Sequence, residues 1–210
     1  MSKKQQRAKD PEKNFSITSA TIDDIEWIAQ LEDDVYTKEN AISEDILKEW
    51  HITNPRGFFV IKDRNNQRIG HLDILPIRPE ILELFLKGAI VERQIHGEAL
   101  YSPEEKEKVR SLYIESLAVR LSGRCKAAAL SSLLVHLPSL LGDVCSLNNL
   151  RQIYAIAATK SGDRLMKNLG FRIVKGRETR KDGHDLFAVE EDVFLNNIHT
   201  ICERNLSGRI

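Results

Sequence analysis

The chain has no excess of charge of either sign: lysine plus arginine and aspartate plus glutamate number 31 each in 210 residues. That balance excludes a whole-molecule field of the kind that recruits nucleic acid or an anionic membrane, so any such attraction must be local. Cysteine is scarce. Cys125, Cys145 and Cys202 are odd in number and far apart, with no CxxC pair and no histidine at ligand spacing beside them. This argues against a disulfide framework or a structural metal site, and a reduced, cytoplasmic protein without metal is expected. No run approaches the roughly 20 apolar residues of a membrane span, and the first residues are polar where a secretory signal would be apolar. There is no internal repeat. The length suffices for one substantial domain with its own core.

What is present is organised around residues 112–134. Leu112 to Val119 is apolar apart from Glu115 and Ser116, as in a strand buried on both faces, and Leu130, Leu133, Leu134 and Leu137 then recur at helical spacing. Between them, Ser122 or Gly123 can cap the helix, whose first N–H groups lack partners and whose dipole favours an anion. Arg124 and Lys126 add positive charge, and Ala127 to Ala129 keep bulk away from a large ligand. An ordinary strand-to-helix connection has the same outline, because a single glycine is a weak motif.

In chain order, residues 1–14 form a net-positive segment without apolar periodicity, expected to be a mobile, solvated tail. Phe15 to Ala20 alternates as a half-buried strand, and Thr21 opens a helix with the stripe Ile22, Ile25, Ile28 and Leu31. Ser43 opens a second helix, stopped by Asn54-Pro55-Arg56-Gly57. Phe58–Lys62 and Arg68–Leu75 read as an antiparallel hairpin ended by Pro76. A short helix, Ile81 to Leu86, begins an insert through residue 110 that is otherwise hard to read. Gly142 to Asn149 reads as a loop and Gln152 to Ala158 as another apolar strand. Thr159 to Leu169 reads as a capped helix stopped by Gly170, and Phe171–Lys175 with Leu186–Glu190 as a closing hairpin. Residues 191–210 give a terminal amphipathic helix.

This order, with Arg164-Leu165-Met166-Lys167-Asn168-Leu169-Gly170-Phe171 as its most specific piece, resembles the GCN5-related N-acetyltransferase superfamily over residues 15–190. The octapeptide is similar to the family's helix between its fifth and sixth strands, commonly Leu-Tyr-x-x-x-Gly-Phe. Arg120-Leu121-Ser122-Gly123-Arg124-Cys125 is similar to the family's pyrophosphate loop, Arg/Gln-x-x-Gly-x-Gly/Ala, with Cys125 for the last small residue; the shifted frame Ser122 to Ala127 ends on alanine but loses the arginine. The resemblance implies an α/β fold with a mixed central sheet of six to seven strands, flanked by helices and splayed at an acetyl-coenzyme A cleft. It implies that Leu117 and Val119 offer backbone to the pantetheine, and that the turn Ser122, Gly123, Arg124, Cys125, Lys126 and Ala127 holds the diphosphate.

Acetyl transfer to an amine needs a base, and it needs the oxyanion and thiolate stabilised. Glu115, expected to share a face with Tyr113, is the candidate base, and a structural carboxylate is the alternative. His71 and Asp73 share a face of the third strand and are candidates to contact the acceptor, or ordinary hairpin polars. Met166 stands where the family has the tyrosine that protonates the thiolate, and Thr159 where it often has asparagine. Tyr113, Tyr154, Ser161 or water would then act as the acid, or the thiolate leaves unaided, since a free thiol has a pKa of about 8.5. The function expected is an acetyl-coenzyme A-dependent N-acetyltransferase, monomeric or homodimeric, acting on a primary amine of a small molecule, peptide, protein or aminoacyl-tRNA. The alternatives are a non-catalytic acyl-coenzyme A-binding regulatory module and an RNA-associated protein using the basic tail. Acceptor choice is expected to reside in residues 31–57 and 78–110.

Overall fold

The computed structural model describes residues 15–37 and 40–206, so the basic tail at 1–14 lies outside the described residues. Seven strands form one sheet in the order β1-β2-β3-β4-β5-β7-β6: β1 Phe15–Ser19, β2 Phe58–Asp63, β3 Arg68–Leu75, β4 Ser111–Val119, β5 Gln152–Ile156, β6 Arg172–Lys175 and β7 Leu186–Glu190. Every pairing is antiparallel except that of β4 with β5.

Helices cover both faces. On one side α1 (Ile22–Val35), α2 (Glu44–Thr53) and α3 (Pro79–Leu86) bury Ile25, Ile28, Leu47, Trp50 and Phe85. On the other, α4 (Gly123–Val144), α5 (Lys160–Asn168) and α6 (Glu191–Leu206) bury Leu133, Leu137, Leu141, Met166, Phe194 and Ile198. The caps follow from the sequence. Thr21 and Asp24 form a capping box at α1, with the Asp24 carboxylate accepting from both Thr21 N and Thr21 Oγ1 at 2.8 Å. Gly170, at φ +90°, ends the α5 segment in a conformation that disfavours a Cβ.

The insert after α3 folds as short 3-10 turns rather than long helices. It is tied to α2 by Trp50 Nε1, which donates to Ile95 O at 2.7 Å, and by Gly97 N, which donates to Glu49 Oε1 at 2.8 Å.

Two expectations about α4 are corrected. The helix continues through Pro138 and Gly142 to Val144, because Leu140, Leu141 and Val144 are buried and Cys145 N still reaches Leu141 O at 2.9 Å. At 22 residues, with a mean hydropathy of 1.4 over its most apolar window, it is also long and apolar enough to cross a bilayer by length and composition. Here its apolar stripe lies against the sheet.

The site is shaped by two irregularities of β4. Its register with β3 passes from Ser116 opposite Asp73 to Ile114 opposite Ile74, which leaves Glu115 as the extra residue of a bulge. Its pairing with β5 stops at Ile114 and Ala155, so Glu115 to Val119 have left that neighbour. Gly57 is required close by, since a Cβ there would lie 2.2 Å from the carbonyl oxygen of Ile74.

Candidate active site

Where β4 and β5 part, an open backbone edge results. Arg120 N donates to Ile69 O on β3 at 2.8 Å, so alternation turns the N–H and C=O groups of Leu117 and Val119 toward the gap. A cavity of about 120 Å³ occupies it, lined by Leu117 and Val119 on one side, Ala157 and Ala158 on the other, and Lys126 and Met166 from the covering helices.

The start of α4 adjoins this slot. Ser122 occupies the N-cap without a side-chain bond, Gly123 has φ +55°, and Lys126 N closes a helical bond on Ser122 O at 3.3 Å. The N–H groups of Gly123, Arg124 and Cys125 precede the helical ladder and have no carbonyl four residues back within the helix. Ser122, Gly123, Arg124, Cys125 and Ala127 are exposed. The structure thus gathers the expected cofactor residues into one strip: an open strand edge leading to a helix N-terminus with two cations, a geometry that suits a long ligand ending in a diphosphate.

A second cavity, of about 300 Å³, opens on the other side of Glu115. Its walls come from the two segments expected to select the acceptor, through Tyr36, Asn40, Ala41 and Ile42, and through Val91, Glu92 and Arg93; Lys181, Asp182 and His184 of the β6–β7 loop close the rim. Glu115, Tyr36, Ile156 and Ala158 line both cavities, so the bulged carboxylate sits where they meet. Its Oε2 is buried without a hydrogen-bond partner. Burial, and then the charges of Glu32, Glu92 and Asp73, push its pKa well above the ordinary carboxylate range.

Three expected site residues are placed differently. Tyr113 is fully buried, packs edge-on against Phe85 and donates to Glu92, so it stands behind a wall residue of the second cavity and not in it. His71 and Asp73 do share a face of β3, but both are completely buried beneath α1 and cannot touch an acceptor. His71 Nδ1 lies 3.0 Å from Asp73 Oδ2, its Nε2 lies 3.5 Å from Ser116 Oγ, and Ser116 Oγ lies 3.3 Å from the hydroxyl of Tyr36. Glu32, 1% exposed, accepts from Ile42 N at 3.0 Å and brings its second oxygen to 3.9 Å from His71 Nε2. Donor atoms of Glu32, His71 and Asp73 lie within 4.8 Å of one another. Both ring nitrogens face protein oxygens: His71 is hydrogen-bonded to Asp73, and Glu32 stands beside Nε2 at ion-pair distance.

Sequence reasoning missed Tyr36, Glu32 and Glu92. Tyr36 caps the end of α1, where its N–H donates to Glu32 O at 2.7 Å and its extended backbone swings the ring into the junction.

The buried acids make stability depend on pH. Burial raises the carboxyls of Glu32 and Glu92 to about 7. An unfolded glutamate ionises near about 4.3, so between these values the native state holds protons that the unfolded state has released. The contribution is full below the unfolded value and is lost as pH rises through about 7. The melting temperature is therefore expected to fall from pH 5 to 8. Glu32→Gln, which keeps an acceptor for Ile42 N and cannot ionise, is expected to flatten the fall. Parallel melting curves for the two proteins over this range would remove Glu32 from the account.

No family model matches the chain, and no curated protein matches it. Solved structures do. The loading GNATL domain of CurA from Lyngbya majuscula aligns with a TM-score of 0.61 at 12% identity, covering 85% of this chain and 98% of that one. The GNAT-like decarboxylase GphF, in complex with isobutyryl-CoA, aligns at 0.58 and 17% identity, covering 84% and 99%. Ard1 from Thermoplasma volcanium aligns at 0.53 and 13% identity, covering 83% and 95%. The chain has the fold of the GCN5-related N-acetyltransferases.

Proposed function

We propose that this chain is an acyl-coenzyme A-dependent N-acyltransferase, with acetyl-coenzyme A as donor and a primary amine as acceptor. One observation carries the reading: an open strand edge running from a helix N-terminus meets a second cavity, with walls of both charge signs, at one carboxylate, Glu115. The isobutyryl-CoA of the GphF complex supports an acyl-coenzyme A ligand on this fold. A regulatory module that only binds coenzyme A would have no use for the second cavity, where Glu92, Asp182 and Glu115 offer hydrogen-bond acceptors to an amine.

The residues present would act as follows. An ammonium entering beside Glu115 meets a low-dielectric site, which raises the carboxyl's pKa and lowers its own, so the proton passes to Glu115 and leaves a neutral nucleophile. Its nitrogen attacks the thioester carbonyl carbon, the C–S bond breaks, and the nitrogen's second proton goes to cavity water as the amide forms. Met166 lines the donor slot and has no proton to give.

Acetyl-coenzyme A is expected to raise the melting temperature of the wild type by binding the native state alone. Gly123→Glu should abolish the rise, since it sets a carboxylate at the anion site and a side chain on a φ of +55°. Gly123→Ala carries the strain without the charge and separates the two effects. The decisive assay is thiol release from acetyl-coenzyme A over a panel of small amines, peptide N-termini, lysines and aminoacyl-tRNA. Equal stabilisation of wild type and Gly123→Glu would displace the phosphate site, and stabilisation without thiol release on any acceptor would leave a binding module.

A further inference from the structure

The cluster of Tyr36, Ser116, His71, Asp73 and Glu32 is not needed for the steps above, and it is costly to bury. Asp73 Oδ1 and Glu32 Oε1 lack hydrogen-bond partners, and Glu32, His71, Asp73 and Ser116 are at most 2% exposed. A well-packed apolar cluster of the same volume would commonly be as stable or more so.

We propose that Tyr36 is the acid that protonates the departing thiolate, and that Ser116, His71 and Asp73 form a buried line that resupplies its proton, with Glu32 beside the step from His71 Nε2 to Ser116. The proposal rests on the acyltransferase reading. Tyr36 is the one hydroxyl that both lines the junction of the two cavities and touches the cluster, among the described residues.

The bulge makes the line possible. Before it, Leu112 and Ile114 face α4 while Tyr113 faces α3; after it, Leu117 and Val119 face α4 again. The extra residue therefore turns Ser116, and not its neighbour, toward His71 and Tyr36.

The order of donors follows from charge. Burial alone would favour the neutral imidazole, but the charge and hydrogen bond of Asp73 and the charge of Glu32 outweigh it and raise the pKa of His71. A proton on each ring nitrogen lets Nδ1–H donate to Asp73 and Nε2–H to Ser116 Oγ. Ser116 then donates to the Tyr36 oxygen, and the phenolic hydrogen is left for the cavity.

Burial raises the pKa of Tyr36 itself, so it is a poor acid on its own and gives up its hydrogen readily only while receiving another. As the C–S bond breaks, sulfur takes the Tyr36 hydrogen, the Tyr36 oxygen takes that of Ser116, and Ser116 takes the Nε2 hydrogen of His71. The imidazole left behind is refilled from cavity water through the same line after the products leave, and Glu115 discharges its proton to that water. Two protons leave nitrogen, one arrives at sulfur and one is released, so each group returns to its starting state.

The test compares wild type, Tyr36→Phe, Ser116→Ala and Asp73→Asn with the best amine of the panel. Each is assayed for kcat across pH and for the thermal shift with acetyl-coenzyme A. Charged or titratable groups facing the line are Glu32 of α1, Asp73 of β3, Glu115 of β4 and Glu92 of the insert.

Tyr36→Phe is expected to lower kcat about 100-fold and keep the thermal shift. Wild-type kcat should fall as pH rises through the raised pKa of His71. Asp73→Asn should move that fall to lower pH, and Tyr36→Phe should remove it. Nitrogen NMR of the His71 ring is read without turnover, with the second ring proton expected to be lost at lower pH in Asp73→Asn than in the wild type.

Tyr36→Phe within twofold of wild type, an unmoved profile in Asp73→Asn, or a His71 ring titration that Asp73→Asn does not move overturns the line alone. No thiol release by the wild type on any amine overturns the transferase reading, and the acid role of Tyr36 with it.

Discussion

Glu115→Gln is expected to lower turnover at neutral pH by about 10²- to 10⁴-fold, the usual worth of a positioned general base. Acetyl-coenzyme A should still stabilise the variant, because the donor slot is built mostly from the backbone edge of β4 and from α4. Glutamine has nearly the same shape and can fill the bulge. It cannot accept the proton of an entering ammonium, so the acceptor stays charged and unreactive.

The deficit should depend on pH in a defined direction. A lysine-like amine loses its own proton near about 10.4, so raising pH supplies neutral amine without help. The gap between wild type and Glu115→Gln should therefore narrow toward pH 9. Equal rates across pH 6 to 9 would make Glu115 a structural carboxylate; a constant gap would mean that it positions the acceptor without taking its proton.

Glu115 was legible in the sequence because it is the single charged residue of an apolar strand, and the turn at Ser122 because a glycine followed by cations opens a helix there. The strands, most helix starts and Gly170 were legible for the same local reason: each is encoded by periodicity or by a cap within a few residues. The second cavity was not. Tyr36, Glu92 and His184 come from three distant segments, and only the sheet order brings them to one place.

Nor does period-two alternation reveal a bulge. A reading without it sends Ser116 to the α4 face and pairs Glu115 with Tyr113, which is how Tyr113 came to be a candidate acid. His71 and Asp73 read as acceptor contacts or hairpin polars because nothing local to β3 shows that α1 lies over them. The end of α4 was misplaced because Gly142 is a stop signal only when the residues around it are exposed, and Leu141 and Val144 are buried.

Arg180→Met is expected to destabilise the fold by about 3 kcal/mol, the lower end for breaking a buried ion pair by removing one partner. The Arg180 side chain is 0% exposed and its partner Asp182 is 11% exposed. Arg180 Nε donates to Asp182 Oδ1 at 3.1 Å, its Nη2 pairs with Asp182 Oδ2, its Nη1 donates to Phe85 O at 3.0 Å, and the guanidinium lies 4.9 Å from the centroid of the Phe85 ring. Methionine fills most of the volume but takes away the charged partner of the Asp182 carboxylate, which still accepts from His184 N, and one donor to Phe85 O, which still accepts from Gly88 N at 2.9 Å.

For a domain of this size the loss corresponds to a fall in melting temperature on the order of 10 °C. Its effect on function should be selective. Asp182 lines the acceptor cavity, and its Oδ1 also accepts from His184 N at 3.0 Å, so the freed loop loosens one wall of that cavity. The donor slot between β4 and β5 has no residue in this loop. KM for the amine is therefore expected to rise while KM for acetyl-coenzyme A holds. The double variant Arg180→Met/Asp182→Asn, which removes the orphaned charge, should recover part of the melting temperature without recovering the amine KM. A melting temperature within 2 °C of wild type in Arg180→Met would show that the loop is held by other contacts, and an equal rise in both KM values would show that the two cavities do not keep separate walls.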